Sequence, residues 1–408
     1  MRTLATPMLV AAVAASAACD ATVALDTTRP TFTRILSAGA CATADNLSEF
    51  DHSVLLLNKD QFILPNQRLR NERQPLSEVI EAGDFDYNCP VERASCGDGE
   101  GAAQSASNPT DQQVNLLVEE VEFRWSGGEE RQSDERLVIL MMDNSVSLIG
   151  GDPQSPTIDT NRASDPNRER ITFFRELVSD FPTESSNGTG EVKTWVSVMK
   201  FDSLPIIESD CASPSVSRDV TNDCLNKYSR GEDGPTNMWD ALNDVYTKII
   251  TSDAADGLNP TVILFTDGNE GNDASATSMA DAMRPYIDNQ IPVLVVQLQP
   301  PRLAGDDRQG RTADLVDFAC ETSGQHFFLE RPNEFSARRD LRVILRNRVA
   351  GAWNLRVRST LGSNDRFPAG NEFFLSTELS GTVADITRAV EMSRSTDTLI
   401  DNRLWFNK

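Results

Sequence analysis

Five oxygen-bearing side chains stand at positions where one ion could hold them together. Asp143, Ser145 and Ser147 follow the apolar run at residues 137–142, Thr236 lies further along the chain, and Asp267 follows a second apolar run at residues 261–265. Carboxylate and hydroxyl oxygens are hard ligands, which suit Mg²⁺ or Mn²⁺ in near-octahedral geometry and Ca²⁺ if the shell expands. The residue types therefore predict a divalent-cation site.

The two apolar runs are typical of strands that are buried on both faces of a parallel sheet. Asp143 and Asp267 each follow such a run, so both carboxylates are expected at the carboxyl ends of strands. In an open α/β sheet, ligands bind outside the carboxyl ends of the strands, where the order of connection reverses. The sequence thus places both carboxylates where that rule expects a binding site.

Helices with apolar stripes alternate with these strands. The stripes are formed by Ile171, Phe174, Val178 and Phe181, and by Met238, Leu242, Val245 and Ile249. Residues 192–201, 291–298 and 326–329 are predicted to be further strands. This alternation predicts an α/β fold with a doubly wound, mostly parallel sheet.

Three segments of the chain resemble the von Willebrand factor A domain and its metal-ion-dependent adhesion site. They are Asp143-Asn-Ser-Val-Ser147, Gly234-Pro-Thr-Asn237 at the start of a helix, and Thr266-Asp-Gly268 at the end of a strand. The resemblance covers residues 135–351 and implies the family's Rossmann-like fold. It also implies that Asp143, Ser145, Ser147 and Thr236 reach the ion directly or in turns, while Asp267 often acts through water. Residues 149–164, before the first helix, are an insertion relative to the family and are expected beside the metal.

The ligand set determines the partner chemistry that we expect. Three of the five ligands are neutral hydroxyls, so the two carboxylates do no more than cancel the ion's double charge. Such a site gains by accepting a carboxylate from outside, and the resemblance implies recognition of an acidic residue on a protein partner. One alternative is a metal that only ties three loops together, and another is an envelope scaffold that works without metal.

Catalysis is not expected. His52 and His326 are the only histidines, and both are predicted in or beside strands. The chain has no nucleophile elbow, phosphate-cradling glycine loop or zinc-protease helix. A metal-dependent hydrolase is the remaining enzymatic alternative, but it lacks an obvious general base because both carboxylates are used by the metal.

The net charge of the chain limits the classes of partner that we expect. The 408 residues include 38 basic and 62 acidic ones, for a net charge of −24. Nucleic acids and anionic membrane surfaces are bound mainly through Lys and Arg, so this acidity disfavours both. We expect protein partners, and membrane contact through a lipid anchor only.

Residues 1–19 resemble an export signal, with Arg2, an apolar stretch at residues 4–18 and small residues before Cys19. Ser16-Ala-Ala-Cys19 is similar to the lipobox of bacterial lipoproteins, in which the cysteine is lipidated, although that family usually has Leu at the position of Ser16. Ser16-x-Ala18 also suits ordinary cleavage and secretion. The expectation is an exported bacterial envelope protein, periplasmic or on the outer surface, anchored through Cys19.

The cysteine count agrees with this compartment. Without Cys19 the chain has six cysteines, an even number that suits disulfides in an oxidising environment. Cys89 with Cys96 and Cys211 with Cys224 are close enough to form local bridges, which leaves Cys41 with Cys320. Other connectivities remain open.

The segments on either side of the α/β region are predicted to be rich in β-structure. We divide the chain into residues 1–19, 20–133, 134–351 and 352–408. In the second segment, residues 53–57, 61–64 and 114–125 read as strands, with a bulge within the last, and residues 97–109 as a surface loop. In the fourth, residues 372–379 and 381–386 read as a hairpin. Both segments are expected to pair into one β-sandwich with the α/β domain inserted, and two separate β modules are the alternative.

Overall fold

The computed structural model describes residues 34–42, 49–57, 85–87, 102–105, 114–125, 135–152, 155–158, 163–184, 193–203, 205–228, 234–268, 275–298, 312–329, 335–359, 372–374, 377–379 and 403–405. The strands are β1 (Arg34–Ala42), β2 (Glu49–Leu57), β3 (Phe85–Tyr87), β4 (Ala102–Ser105), β5 (Val114–Trp125), β6 (Glu135–Asp143), β7 (Gly151–Asp152), β8 (Ser155–Ile158), β9 (Lys193–Phe201), β10 (Pro205–Ile206), β11 (Asn259–Thr266), β12 (Val293–Leu298), β13 (Gln325–Leu329), β14 (Gly351–Ser359), β15 (Glu372–Phe374), β16 (Thr377–Leu379) and β17 (Arg403–Trp405). The helices are α1 (Glu169–Asp180), α2 (Ser209–Ala212), α3 (Arg218–Tyr228), α4 (Met238–Val245), α5 (Met279–Asp288), α6 (Ala313–Glu321) and α7 (Phe335–Arg348), with 3₁₀ turns at Val146–Ile149 and Asp253–Ala255 and a π-helical turn at Tyr246–Ile250.

A six-stranded sheet organises the α/β region, in the order β10-β9-β6-β11-β12-β13. The strands from β9 to β13 in this order are parallel, and only the short β10 pairs antiparallel with β9. The chain leaves β6 for β9 on one side and returns to β11 on the other side, so the order of connection reverses between β6 and β11. The predicted doubly wound, mostly parallel sheet is confirmed.

Helices cover both faces of this sheet. Odd-numbered residues of β6 from 137 to 141 share a hydrophobic cluster with α4, α5 and α6, whereas even-numbered residues from 138 to 142 share one with α1, α3 and α7. Both predicted apolar stripes are buried in these clusters. The first helix begins at Glu169, directly after Arg168, which adopts a left-handed conformation with φ of 54°.

The segments before and after the α/β region form one antiparallel sheet, in the order β1-β2-β14-β5-β4-β15-β17. Strand β14 follows α7 directly and pairs with β2 on one side and β5 on the other. The two strands at the ends of the order, β1 and β17, contact each other, so the sheet curls back on itself. The two segments therefore share one curled sheet, which we call the flanking sheet, while β3 and β16 pair as a separate two-stranded sheet.

The flanking sheet and the α/β region share a hydrophobic core. Residues 54–57 of β2 and Trp353 of β14 belong to the same buried cluster as α1 and α7. Trp353 also packs edge-on against Phe123, with ring centroids 5.3 Å apart. Burial of such aromatic and aliphatic surface is the main favourable contribution to docking of the two parts.

Strand β5 contains the predicted bulge. In its pairing with β14, Arg356 is opposite Glu120 and Val357 is opposite Val118, so Glu119 is the extra residue. Ion pairs then join the two strands, from Arg356 to Glu120 at 2.9 Å and from Arg358 to Glu119 at 3.0 Å. Val118 and Phe123, on either side of the bulge, are both buried.

Two predictions for these segments need correction. Residues 97–109 are not all loop, since β4 lies within them and pairs with β5. Residues 372–379, predicted as one strand of a hairpin, contain two strands: β15 pairs with β4 and β17, and β16 pairs with β3. Partners distant in sequence decide both cases, and local composition does not identify them. Residues 61–64 and 381–386 lie outside the described residues.

Two predicted disulfides are present. Cys41 of β1 is bonded to Cys320 of α6, and Cys211 of α2 to Cys224 of α3, with Cα atoms 5.6 Å apart in each pair. Cys19, Cys89 and Cys96 lie outside the described residues. Within the part of the chain that the structure describes, no helix combines the length and apolarity needed to cross a membrane.

Candidate metal centre

The carboxylate of Asp143 is fully buried at the end of β6. Its Oδ1 accepts a hydrogen bond from the backbone N–H of Ser145 at 2.8 Å, and its Oδ2 accepts one from the Thr266 hydroxyl at 2.6 Å. Thr266 ends the neighbouring parallel strand β11. These bonds hold the Asp143 carboxylate at the point where the strand order reverses, as expected from its position after the apolar run.

The hydroxyls of Ser145 and Ser147 lie 3.0 Å apart. A 3₁₀ turn at Val146–Ile149 brings them to the same side of the chain, and Gly150 ends this turn with φ of 85°. Asn144, which lies between Asp143 and Ser145, donates its backbone N–H to the carbonyl of Phe201 on β9 at 2.8 Å. Ser145 is buried but Ser147 is partly exposed, so the site opens to solvent on the Ser147 side.

Asp267 approaches the same region from the end of β11. Ser164, the last residue of the insertion, donates its hydroxyl to Asp267 Oδ2 at 3.1 Å. The chain turns sharply after Asp267 because Gly268 has φ of 89°, and a Cβ atom there would overlap the Gln297 side chain. Sequence reasoning did not identify Ser164, since its partner is 103 residues away.

A second set of hydrogen bonds holds the turn after Asp267. The amide of Gln297 on β12 donates to the Asp267 carbonyl at 3.5 Å, and the Thr312 hydroxyl donates to the Gly268 carbonyl at 3.0 Å. Gln297 Oε1 also lies 2.9 Å from Nε2 of His326. His326 is thus placed among buried polar groups of β12 and β13, whereas His52 is buried in the flanking sheet.

Thr236 is buried just before α4. The Gly234 carbonyl, two residues earlier, accepts a hydrogen bond from the Val146 N–H at 3.3 Å. Asn237 donates its backbone N–H to the Asp202 carbonyl at 2.9 Å. The loop that carries Thr236 is therefore joined to the serine-bearing turn, and all five predicted side chains lie at the carboxyl edge of the parallel sheet.

Two carboxylates lie together in this buried site. Burial and the negative charge of nearby Asp267 raise the pKa of Asp143 to about 7, although hydrogen bonds from Thr266 and Ser145 act in the opposite direction. Burial removes water from the carboxylates, and like charges at short range disfavour double ionisation. A cation between them would reverse both effects.

The donor set fits a small divalent cation. The Ser145 and Ser147 hydroxyls share a hydrogen bond of 3.0 Å, so their two oxygens are close enough to reach one ion. Asp143, Ser145, Ser147, Thr236 and Asp267 would hold the ion, which when bound would supply a Lewis-acidic centre open to an outside oxygen. All donors are oxygens, as hard cations prefer.

A buried ion pair lies directly behind the serine-bearing turn. Arg170 of α1 binds Asp165 Oδ2 through Nη1 at 2.7 Å and Asn144 Oδ1 through Nη2 at 2.8 Å. Neither charged side chain is exposed. We call these three residues the Arg170 clamp. An arginine beside an apolar stripe is usually a solvated residue, so the sequence contained no signal for the clamp.

A cluster of Glu208, Asp210 and Cys211 could also be considered for a metal. The ammonium group of Lys227 lies between the two carboxylates, 2.7 Å from Glu208 and 2.8 Å from Asp210. Cys211 is bonded to Cys224 and is not available as a thiolate. Lys227 therefore already supplies the positive charge in this cluster.

Comparison with known proteins agrees with the fold. Residues 138–337 match the family model of the von Willebrand factor type A domain. No curated protein sequence matches the chain. Among solved structures, proximal thread matrix protein 1 of the mussel byssus with a zinc-occupied MIDAS motif is 12% identical, with a TM-score of 0.39, over 58% of this chain and 50% of that chain.

Two further solved structures have similar sequence identities and TM-scores. A von Willebrand factor type A protein from Catenulispora acidiphila is 12% identical, with a TM-score of 0.37, over 79% of this chain and 73% of that chain. The manganese-loaded TRAP protein of Plasmodium vivax is 12% identical, with a TM-score of 0.31, over 64% and 91%. The chain spans about half the length of the mussel protein, and similarity of this extent carries no argument about partners. The family model and the sheet order together show that residues 138–337 form a von Willebrand factor type A domain.

Proposed function

We propose that this domain binds a divalent cation, Mg²⁺ in first place, and through it an acidic group of a protein partner. The observation that carries the proposal is the pair of buried carboxylates, Asp143 and Asp267, beside the hydrogen-bonded hydroxyls of Ser145 and Ser147. Domains of this family commonly mediate metal-dependent protein binding and adhesion, which agrees with this chemistry.

Charge balance explains why an outside carboxylate would be favoured. Asp143 and Asp267 together cancel the charge of one divalent ion, and the serine and threonine hydroxyls add none. If Asp267 acts through water, the directly bound set is net positive. A carboxylate from a partner then completes the shell and neutralises it, and it does so in a site from which water is largely excluded, where the attraction is strong.

The number and type of the donors bear on the choice of ion. Five side-chain oxygens leave room for one further ligand in an octahedral shell of the kind that Mg²⁺ and Mn²⁺ prefer, whereas Ca²⁺ takes about six to eight oxygens. We therefore expect Mg²⁺ and Mn²⁺ to bind more tightly than Ca²⁺.

Thermal unfolding in EDTA and in each cation tests the metal site. At 100 times the dissociation constant, a bound ion adds about 2.7 kcal/mol to the free energy of unfolding. For a domain of this size the melting temperature would rise by roughly 5–11 °C. The rise should be largest in Mg²⁺ or Mn²⁺ and absent in Asp143→Asn.

The control for this experiment is Asp288→Asn, which changes an exposed carboxylate at the end of α5. It should respond to metal like the wild type. In EDTA, Asp143→Asn removes a like charge from beside Asp267, so its melting temperature should not collapse. If wild type shows no rise with any ion, the metal-independent scaffold becomes the better interpretation.

The insertion at residues 149–164 is proposed to select the partner. It carries the short hairpin of β7 and β8, and it ends at Ser164, which is bonded to Asp267. Loops beside a site commonly determine specificity while the scaffold holds the chemistry. Replacing residues 151–158 by a short turn should therefore change partner binding while leaving the metal response intact.

Peptide arrays supply the partner test. We expect peptides with Asp or Glu to bind in Mg²⁺ and to be released by EDTA, while matched peptides with Asn or Gln do not bind. Equal binding of acidic and amide peptides would contradict recognition of a carboxylate.

We also propose that the protein is exported and anchored through a lipidated Cys19. The Cys41–Cys320 and Cys211–Cys224 disulfides support an oxidising compartment. Two acyl chains on Cys19 would be enough for stable anchoring. Fatty-acid labelling in a bacterial host should mark the wild type and not Cys19→Ala. Labelling that persists in the variant, or is missing in both, would contradict the anchor.

A further inference from the structure

A cavity of about 340 Å³ lies between the flanking sheet and the α/β domain. Pro292 and Gly324, which line it, precede β12 and β13, so the cavity is at the amino ends of the parallel strands. The candidate metal centre is at the carboxyl ends. The cavity is thus separate from that centre, and its volume is at the small end of the range for ligand pockets.

The Cys41–Cys320 disulfide forms part of the cavity wall. Both cysteines are partly exposed, and the bond joins residues that are 279 apart in sequence. The Cys211–Cys224 disulfide differs, since its residues are only 2% and 4% exposed. The first disulfide is therefore the more accessible of the two to a thiol from solvent.

Charged groups of both signs surround the exposed disulfide. Arg124 binds Asp51 at 3.2 Å and also pairs with Glu122, and all three line the cavity. Arg348, also in the wall, donates to the backbone carbonyl of Ser323 at 3.1 Å. Burial and the positive charge of Arg124, which lines the same cavity, lower the pKa of Arg348 to about 10.

We propose that this cavity binds a low-molecular-weight thiol with both an ammonium and a carboxylate group, of the cysteine type, and that the bound thiol exchanges with the Cys41–Cys320 disulfide. The arginines match the carboxylate, and Asp51 and Glu122 match the ammonium group. The positive charges also favour the thiolate forms of the attacking and leaving sulfurs. The proposal does not depend on metal binding.

Two small thiols are needed to reduce the Cys41–Cys320 disulfide. The first thiolate attacks one sulfur of the disulfide, the S–S bond breaks, and the other cysteine leaves as a thiolate that takes a proton from water. A second thiolate attacks the resulting mixed disulfide, which releases the oxidised small molecule and the remaining cysteine thiolate. Two small thiols are thereby oxidised to a disulfide, and Cys41 and Cys320 are reduced. Reduction cuts the covalent link between β1 and α6.

Selective reduction of the full folded chain tests the proposal. The protein is treated with L-cysteine or 2-mercaptoethanol at equal thiolate concentration, samples are alkylated over time, and peptide mass spectrometry reports each cysteine separately. Cys41 and Cys320 should be alkylated at least about tenfold faster than Cys211 and Cys224, because the buried pair needs local opening first. At Cys41, L-cysteine should react faster than 2-mercaptoethanol.

Two variants distinguish binding of the thiol in the cavity from simple exposure of the Cys41–Cys320 disulfide. Arg124→Gln should lower the rate ratio of L-cysteine to 2-mercaptoethanol by about two- to fivefold, as for a partly exposed charge pair. Arg358→Gln is the control: it is on the same sheet with a side chain 54% exposed, against 40% for Arg124, but it pairs with Glu119 and lies outside the cavity wall. The control should keep the wild-type ratio.

Three results would each overturn the proposal. One is equal reduction rates at the two disulfides. Another is a wild-type ratio close to one, which would mean that the cavity does not recognise the charged groups of the thiol. The third is a ratio that Arg124→Gln leaves unchanged or that Arg358→Gln lowers equally. Thermal unfolding of both variants confirms that each is folded during the measurement.

Discussion

Removing the arginine of the Arg170 clamp tests how the turn with Ser145 is supported. In Arg170→Met the side chain keeps its apolar volume but loses the bonds to Asp165 and Asn144. Asp165 then remains as a buried carboxylate without its guanidinium partner at 2.7 Å. The change therefore perturbs electrostatics far more than packing.

The expected magnitude follows from burial of the pair. Both side chains have no exposed surface, and breaking one partner of such a pair costs about 3–5 kcal/mol. The melting temperature should fall by roughly 6–20 °C for a domain of this size. Burial raises the pKa of Asp165 even though Arg170 acts in the opposite direction. Protonation therefore favours the folded state as the pH falls, and the defect of Arg170→Met should shrink at lower pH.

The assay is a double-mutant cycle by urea unfolding at pH 7, with Arg170→Met, Asp165→Asn and the double variant. The double variant should be more stable than Arg170→Met alone, because no charge is left buried. A metal titration of each variant reports the second effect: the affinity for Mg²⁺ should fall in Arg170→Met, because Asn144 lies between the ligands Asp143 and Ser145.

Two results would refute this reasoning. If Arg170→Met costs less than about 1 kcal/mol, the pair is not desolvated as the structure indicates. If the double variant is destabilised by the sum of the single effects, the two charges do not interact. A lost clamp with unchanged Mg²⁺ affinity would show that the turn is held by its backbone bonds alone.

Three further predictions follow from single contacts. Burial lowers the pKa of His52 from 6.5 to about 3, so its contribution to stability is complete above pH 6.5 and falls by about 2 kcal/mol at pH 5. The free energy of unfolding should therefore depend less on pH in His52→Gln than in the wild type. An unchanged pH dependence would contradict this prediction. Gly268→Ala should be less stable and bind metal more weakly. Gly257, at φ of 76° with no atom within 4 Å of an added Cβ, is the control: Gly257→Ala should lose about 1 kcal/mol of stability and keep its metal affinity. Equal metal affinities of the two variants would argue against a role for the turn at Gly268. Thr266→Val removes the 2.6 Å bond to Asp143 and should cost about 1–3 kcal/mol in urea unfolding without metal, and a smaller loss would show that this bond contributes little.

The sequence contained most of the information on the α/β domain. Residues 137–142 are apolar at every position, which predicts a strand buried on both faces, and all of them are buried. Helical stripes such as that from Ile171 to Phe181 predicted the covering layers. These patterns are local, because periodicity follows from the geometry of each element and from which faces it buries.

The flanking sheet was less predictable for the same reason. Strand β4 has a polar, low-complexity sequence and forms because β5 offers it a paired edge. Strands β15 and β16 look like one continuous strand in sequence but join different partners. Backbone pairing across long separations satisfies hydrogen bonds with little dependence on side-chain type, so composition alone does not identify it.

For the candidate metal centre, the sequence by itself determined the ligand types and their positions after the strands that carry Asp143 and Asp267. Only the tertiary structure decided what surrounds them: the Thr266 bond to Asp143, the Ser164 bond to Asp267, and the buried Arg170 behind the turn. Ligand identity is a property of single residues. Desolvation and hydrogen bonding depend instead on which distant segments meet, and this information exists only once the chain has folded.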